Sequence, residues 1–263
     1  MRLIPKKNLG QNFLIDKTVI DFIIKIGDIK KNDFVIEVGP GKGALTGGIL
    51  NEKPKTFTVI EKDIRLINIL EEKFGNEINI INEDMMKFSF DSYLIKNSVI
   101  FGNLPYNIST QMLVKWMKIK DLNMFCKKFI LMFQKEVADR IIAEVNSKNY
   151  GRLSILSNWK MEIKKELDIE PESFYPKPKV KSSLLTFIPK KKFFQLNDQK
   201  NLEHITNIFF SQKRKMIKKP LKFLFKNFDK ISKELSLDLT LRPQNIDRIT
   251  YYKICKFYES SVN

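Results

Sequence analysis

Apolar residues repeat with two different periods over the first 150 positions, and each change of period marks an element. Val19, Ile20, Ile23 and Ile26 share one face at helical spacing, so residues 17–26 read as a helix, with Asp16 as N-cap and Gly27 as the stop. Residues 34–38 form a short apolar run interrupted only by Glu37, a buried strand, and residues 44–51 a helix behind a glycine-rich turn. The alternation continues with a strand at 56–60, a helix at 63–74 closed by Gly75, a strand at 78–81 and another at 99–101. It ends with a helix at 109–117, a strand at 129–133 and an amphipathic helix at 134–145. Strands alternating with helices at this spacing predict βαβ units: an α/β, Rossmann-like fold with a mostly parallel sheet covered on both faces. In such folds ligands sit at the carboxyl ends of the strands. Glu61, Asp84 and Asn103 fall at or just past three successive strand ends.

After residue 150 the pattern changes. Pro171, Pro176 and Pro178 predict a rigid extended connection over 171–180, followed by a strand at 183–188 that is a candidate for antiparallel pairing. Lys190, Lys191 and Lys192 read as a linker. Beyond them the apolar spacing is helical, in Ile205, Ile208 and Phe209, in Leu221, Leu224 and Phe225, and in Ile246, Ile249, Ile254 and Phe257. The expected division is a large domain over residues 1–192 and a small all-helical one over 193–263.

Charge sharpens that division. The 263 residues carry 47 Lys+Arg against 30 Asp+Glu, a net charge of +17. Residues 190–263 hold 17 of the cations and 7 of the acids. Either lysines fill solvated faces or the partner is a polyanion, for which each neutralised phosphate adds sequence-independent affinity. The longest stretch without charge, residues 97–114, contains Gly102, Pro105 and several amides and hydroxyls, so no membrane span is expected. The first seven residues have no long apolar stretch with a cleavage site, which predicts no secretory signal. Cys126 and Cys255 stand far apart and His204 is the only histidine, which excludes a catalytic triad built on a second histidine and argues against a metal centre. The expectation is a cytoplasmic protein with no bound metal.

Glu37-Val38-Gly39-Pro40-Gly41-Lys42-Gly43 joins a strand to a helix. Glycines let backbone approach a ligand closely, and a helix start offers free N–H groups. A phosphate-binding P-loop does not fit, because Ala44 stands where that motif needs glycine followed by lysine. A dinucleotide fingerprint does fit in part: Gly39, Gly41 and Ala44 satisfy GxGxxA, with Glu61 about 20 residues on. Against it, Glu37 would place a carboxylate beside a pyrophosphate. It suits a cationic ligand, such as the amino or sulfonium end of S-adenosylmethionine. Glu61 then either accepts from a ribose diol or starts the following helix. Asp84 either accepts from the adenine amino group or caps a turn.

Asn103-Leu104-Pro105-Tyr106 follows the fourth strand. The amide oxygen of Asn103 and a nearby backbone carbonyl can accept both hydrogens of an exocyclic amine while Tyr106 stacks on the base; Pro105 fixes the turn between them. An adenine N6 is a poor nucleophile because its lone pair is delocalised into the ring. Two acceptors favour a pyramidal nitrogen aimed at an activated methyl, so positioning is the main demand and no strong base is required. The bland alternative is that Pro105 ends the strand and Tyr106 packs in the core.

These motifs, in this order, resemble the ribosomal RNA adenine N6-dimethyltransferases, and most closely the bacterial type acting on small-subunit rRNA. The resemblance spans nearly the whole chain. It runs from Lys7-Asn8-Leu9-Gly10-Gln11-Asn12-Phe13-Leu14 through the glycine loop, Glu61, Asp84 and Asn103 to Ser109. It continues in Tyr150-Gly151-Arg152, Phe174-Tyr175-Pro176-Lys177-Pro178-Lys179-Val180, Phe210 with Lys213-Arg214-Lys215, and Leu241-Arg242-Pro243. It implies a class I methyltransferase sheet, with S-adenosylmethionine held by Asn12, Leu14, Gly39, Glu61 and Asp84, to which the loop reading adds Glu37 and Gly41. It implies that Asn103 faces donor and target, and that Phe174 forms a second wall for the base. It also implies two neighbouring adenosines, each methylated twice, on a partly assembled (pre-30S-type) small subunit, by an enzyme expected to be monomeric. Lys213, Arg214 and Lys215 are expected on a helix facing rRNA phosphate, although many relatives have arginine at Lys213. The competing readings are a large-subunit rRNA adenine methyltransferase, an NAD(P)-dependent oxidoreductase, and a ribosome-assembly factor without catalysis.

Overall fold

A computed structural model describes residues 5–6, 10–90 and 95–262. Residues 1–4 and Lys7, Asn8 and Leu9, where the secretory-signal reading and the first motif begin, lie outside the described residues. The chain divides into two compact units. The first comprises the described part of residues 1–138 with Glu162–Pro189, and the second Asp139–Met161 with the chain from Lys190 onward. The contribution of Asp139–Met161 to the second unit is the difference from the expected division at 192/193.

The first unit opens with β1 (Phe13–Leu14) and α1 (Lys17–Gly27). Asp16 caps α1 by accepting from the Thr18 and Val19 amides at 2.9 and 3.2 Å. Gly27 is the last helical residue rather than the stop, a role taken by Asp28 at φ 47°. A Cβ at Gly27 would meet the Phe101 ring at 2.6 Å, so close packing requires the glycine. Then follow β2 (Phe34–Val38), α2 (Ala44–Asn51), β3 (Thr56–Glu61), α3 (Ile64–Phe74) and β4 (Asn79–Asn82). Next come β5 (Ser98–Gly102), α4 (Tyr106–Met117), the short α5 (Leu122–Phe125) and β6 (Cys126–Gln134). The helix α6 (Lys135–Ile141) stops four residues before Val145, because the Asn158 side chain takes the Ile141 carbonyl at 3.0 Å. It is followed by α7 (Arg152–Lys160) and β7 (Met161–Ile169), then β8 (Phe174–Tyr175) and β9 (Ser182–Pro189).

Seven strands form one sheet in the order β4-β3-β2-β5-β6-β9-β7, the run from β4 to β6 parallel and β9 antiparallel to β6. β1 pairs with β8 in a separate antiparallel ribbon. The central strands are buried on both faces, with Val35, Val99, Ile100, Phe101 and Phe129 almost without exposure, as a sheet covered by helices on both sides requires. Strand order reverses at the β2/β5 boundary, the place where such sheets leave a crevice. Register then aligns the strand ends: Val38 stands opposite both Ile60 and Gly102, and Glu61 opposite Asn82. The residues that follow come out side by side.

The second unit adds α8 (Gln199–Phe210), α9 (Lys218–Leu224), α10 (Phe228–Glu234) and α11 (Arg248–Val262) to α7. Leu202, Ile205 and Phe209 of α8 pack inward with Tyr251, Tyr252 and Ile254 of α11, and the Tyr252 hydroxyl donates to the Ile155 carbonyl at 2.9 Å. Ile249 is exposed instead, so its apolar spacing did not mark the core face. Among the described residues no helix is long and apolar enough to cross a membrane.

Candidate active site

A cavity of about 250 Å³ opens at the carboxyl ends of β2, β3, β4 and β5. Its lining includes every residue expected from sequence to touch the donor, and the tetrapeptide Asn103 to Tyr106. Four groups stand in strand order along it: Asp84 after β4, Glu61 ending β3, Gly39 after β2 and Asn103 after β5. The register of the sheet, and no local turn, produces this row.

Glu37 points out of β2 into the cavity wall and is only 2% exposed. One carboxylate oxygen accepts from the Thr46 hydroxyl of α2 at 2.7 Å, and no described residue donates to the other. Burial pushes its pKa up to about 8, with the nearby Glu61 charge adding to the rise. Glu61 is nearly as enclosed, and burial raises its pKa too. Its Oε1 accepts from the Lys62 and Asp63 amides at 2.8 and 2.9 Å, and the Gly41 amide also reaches this carboxylate. Glu61 is therefore locked to the glycine loop, while the start of α3 is capped by its neighbour Asp63. Asp84 serves as a turn cap, accepting from Met86 N at 2.9 Å, and also pairs with Lys62 at 2.6 Å. The Lys62 ammonium holds its pKa below the usual carboxylate range.

Asn103 donates from Nδ2 to the Asn12 carbonyl at 3.1 Å, and no described residue donates to its Oδ1. The amide is thus oriented by the N-terminal segment, with its acceptor unspent. Tyr106 is the first residue of α4, three residues earlier than the expected start, because the Pro105 carbonyl accepts from the Ile108 and Ser109 amides at 3.1 Å. Its hydroxyl bonds Ser182 Oγ at 2.6 Å, which fixes the ring.

Two expectations change. Phe174 is 2% exposed, pairs with Leu14 in the β1–β8 ribbon and belongs to the hydrophobic core. It does not line the cavity, because the ribbon turns its ring inward. Lys213, Arg214 and Lys215 lie in the turn after α8, not on a helix. Lys213 is spent on the Lys148 and Tyr150 carbonyls at 2.8 and 3.0 Å, and partial burial lowers its pKa. Replacing Lys213 with methionine should lower stability by about 1–3 kcal/mol, since the two carbonyls lose a charged donor. Thermal unfolding checks this, with the salt slope of RNA binding expected to stay unchanged.

Other supports were not legible beforehand. Gln11 Nε2 donates to Asp63 Oδ2 at 3.0 Å, tying the N-terminal segment to the end of β3. Phe13 lies where a Cβ on Gly41 would be, at 2.9 Å, so it closes one side of the glycine loop. Lys62 and Ser182 complete the set. Gln11 and Phe13 belong to the N-terminal motif, which gives them no role of their own, and the only sequence signal for Lys62 and Ser182 is proximity to a motif residue.

A parallel sheet with a glycine loop after its first long strand, an acid ending the next, and an oriented amide beside the loop defines a class I methyltransferase. A family model described as ribosomal RNA adenine dimethylase matches residues 4–260. The chain is 54% identical over 254 residues to the ribosomal RNA small subunit methyltransferase A of Pelagibacter ubique (strain HTCC1062), which covers 97% of each. Among solved structures it resembles a dimethyladenosine transferase from Plasmodium falciparum, with a TM-score of 0.82 at 28% identity over 95% of this chain and 98% of that one. It shares its fold with the 23S rRNA methyltransferase ErmE, at a TM-score of 0.67 and 20% identity over 92% and 98%. The chain belongs to the ribosomal RNA adenine dimethylase family.

Enzymes of this family take methyl groups from S-adenosylmethionine. The cavity fits that donor: Glu37 offers a buried carboxyl oxygen with no cationic partner among the described residues, and a positively charged ligand would stabilise its ionised form. Gly39 (φ 67°) keeps the space before the Asn103 carbonyl free of a side chain.

Proposed function

We infer that this chain dimethylates N6 of two adjacent adenosines near the 3′ end of small-subunit rRNA during ribosome biogenesis. The observation that carries this reading is the Asn103 amide, held by the Asn12 carbonyl with its oxygen free, in register with the glycine loop and followed by Tyr106.

Asn12, Leu14, Gly39, Gly41, Glu61 and Asp84 would hold S-adenosylmethionine, with Glu37 facing its cationic end. When bound, that donor supplies a methyl group on a sulfonium, electrophilic enough to need no metal or covalent help. Asn103 Oδ1 accepts one N6 hydrogen and a neighbouring backbone carbonyl the other. This draws the lone pair out of ring conjugation and toward the methyl. Tyr106, its hydroxyl pinned to Ser182, offers a flat face for the purine. After transfer the nitrogen is a strong acid and gives its proton to water, so no basic side chain is needed. In the second round only one N6 hydrogen remains, and a single acceptor suffices to orient it.

We place the reaction in the cytoplasm, on a partly assembled small subunit, with the enzyme acting as a monomer. Labelled donor offered with undermethylated small subunits and, separately, with naked large-subunit RNA tests the substrate. Label confined to the small-subunit rRNA, found by mass spectrometry as dimethyladenosine near its 3′ end, is expected. Label only in the large-subunit RNA refutes the reading. Glu61→Ala should weaken donor binding by about tenfold, the loss of a charge-assisted hydrogen bond, as measured by calorimetry. An unchanged Kd would remove Glu61 from the donor site.

A further inference from the structure

Residues 211–228 carry seven Lys+Arg and no acid. In the first unit many lysines are neutralised in ion pairs, such as Lys127–Asp33 at 2.8 Å and Lys165–Asp168 at 2.7 Å. Here the opposite holds. Lys213 is spent on carbonyls, but Arg214, Lys215, Lys218, Lys219, Lys222 and Lys226 have no acidic partner among the described residues. All six are exposed.

The register of α9 explains which residues project. Ile217, Pro220, Leu221 and Phe225 are buried, with Phe225 edge-on to Tyr258 at 6.2 Å, so the opposite face carries Lys218, Lys219, Lys222 and Phe223. Phe223 is 75% exposed, more than any other large apolar residue described. It stands among ammonium groups rather than in an apolar face. Lys222 is itself held over the Phe228 ring at 5.0 Å.

We propose that the α9 face is an RNA-docking surface on which Phe223 stacks an unpaired base while Lys218, Lys219, Lys222 and Lys226 contact the flanking phosphates. This deepens the proposed function and rests on its premise that RNA is the substrate. Charge complementarity selects the partner. A second copy of the chain would bring like charge against like. An anionic bilayer prefers a helix whose apolar stripe lies opposite its lysines, and the apolar stripe of α9 is already buried. Paired RNA offers backbone and a shallow groove, whereas an aromatic ring surrounded by cations matches a splayed-out base with its two phosphates.

The full chain, its Phe223→Ala and Phe223→Trp variants, and a Lys219→Gln/Lys222→Gln/Lys226→Gln variant are titrated with two RNA hairpins. One hairpin has a single unpaired adenine bulge; the other is fully paired. Phe223→Ala should weaken binding of the bulged hairpin by about tenfold, the loss of one stacked base, with no change in salt slope. Its effect on the paired hairpin should stay below about twofold, and Phe223→Trp should retain bulge affinity. The lysine variant should flatten the salt dependence for both hairpins. Equal loss on both hairpins, or none on either, overturns the proposal. So does loss of phosphatidylglycerol-vesicle binding on Phe223→Ala with RNA binding intact, which would assign the face to lipid. Wild-type methylation of small subunits, assayed in parallel, separates the two failures. Methylation without bulge selectivity sinks this surface alone, and selectivity without methylation sinks the substrate assignment alone.

Discussion

Asn103→Ala should lower kcat for methyl transfer by about 10²–10³-fold, the usual cost of removing one preorganised polar group from a reacting centre. Donor Kd should stay within about threefold, because the carboxylates and glycine loop lie on the neighbouring strands. The separation follows from the sheet: Gly39 leaves β2 and Asn103 leaves β5, with Val38 and Gly102 in register beneath them. Asn103→Gln is the sharper variant. It keeps the amide but carries it one methylene further from its own backbone, out of the position the Asn12 carbonyl fixes, and a displacement of that size is enough to lose about 10²-fold. Single-turnover methylation with calorimetry of donor binding decides the matter. Wild-type turnover in Asn103→Ala would mean that the amine is positioned by another group. Equal loss of donor affinity and turnover would make Asn103 a donor ligand only.

The parts of this site that could be read in the sequence are those that follow directly from strand ends. β2, β3 and β5 show as short apolar runs because their central residues are buried, and Gly39, Glu61 and Asn103 stand at or just past the ends of those runs. The first unit's outer strand β7 was not legible. Its Lys164–Glu166 and Lys165–Asp168 pairs make the segment look solvated, although it completes the sheet. Nor did α7 show an amphipathic stripe, since Ser154 and Ser157 are buried beside Leu153, Ile155 and Trp159. Contacts that fix the residues lining the cavity are long-range: Tyr106 with Ser182 spans 76 residues and Gln11 with Asp63 spans 52. No periodicity encodes such pairs. Phe174 and Lys213 stand elsewhere than expected for the same reason. A motif fixes the identity of a side chain, while its neighbours decide whether that side chain faces the ligand or its own fold.

Donor affinity should fall on acidification, by up to roughly tenfold per pH unit below pH 8, if a cation binds only the ionised form of Glu37. With its carboxyl pushed up to about 8 by burial, Glu37 holds a proton at neutral pH until a cation pairs with it. Few groups bear on it: the Glu61 charge repels its ionised form, the Thr46 hydroxyl supports it, and among the described residues no cation is paired with it. Entry of a cationic ligand favours the carboxylate, so binding must expel the proton. Calorimetry in two buffers of different ionisation enthalpy reads that proton directly. Release on binding both S-adenosylmethionine and S-adenosylhomocysteine assigns the contact to the shared amino group; release with the former alone assigns it to the sulfonium. No release with either removes Glu37 from the donor site. The same group sets a stability trend of opposite sense. Its folded pKa lies above the unfolded value of 4.5, so the native state binds more protons between the two. The stabilisation is complete below the unfolded pKa and is lost as pH rises through about 8, on the order of 5 kcal/mol in all. Glu37→Gln should therefore flatten both profiles, raising thermal stability at pH 9 while abolishing proton release. A variant that kept the wild-type slope in either would place the titrating group elsewhere.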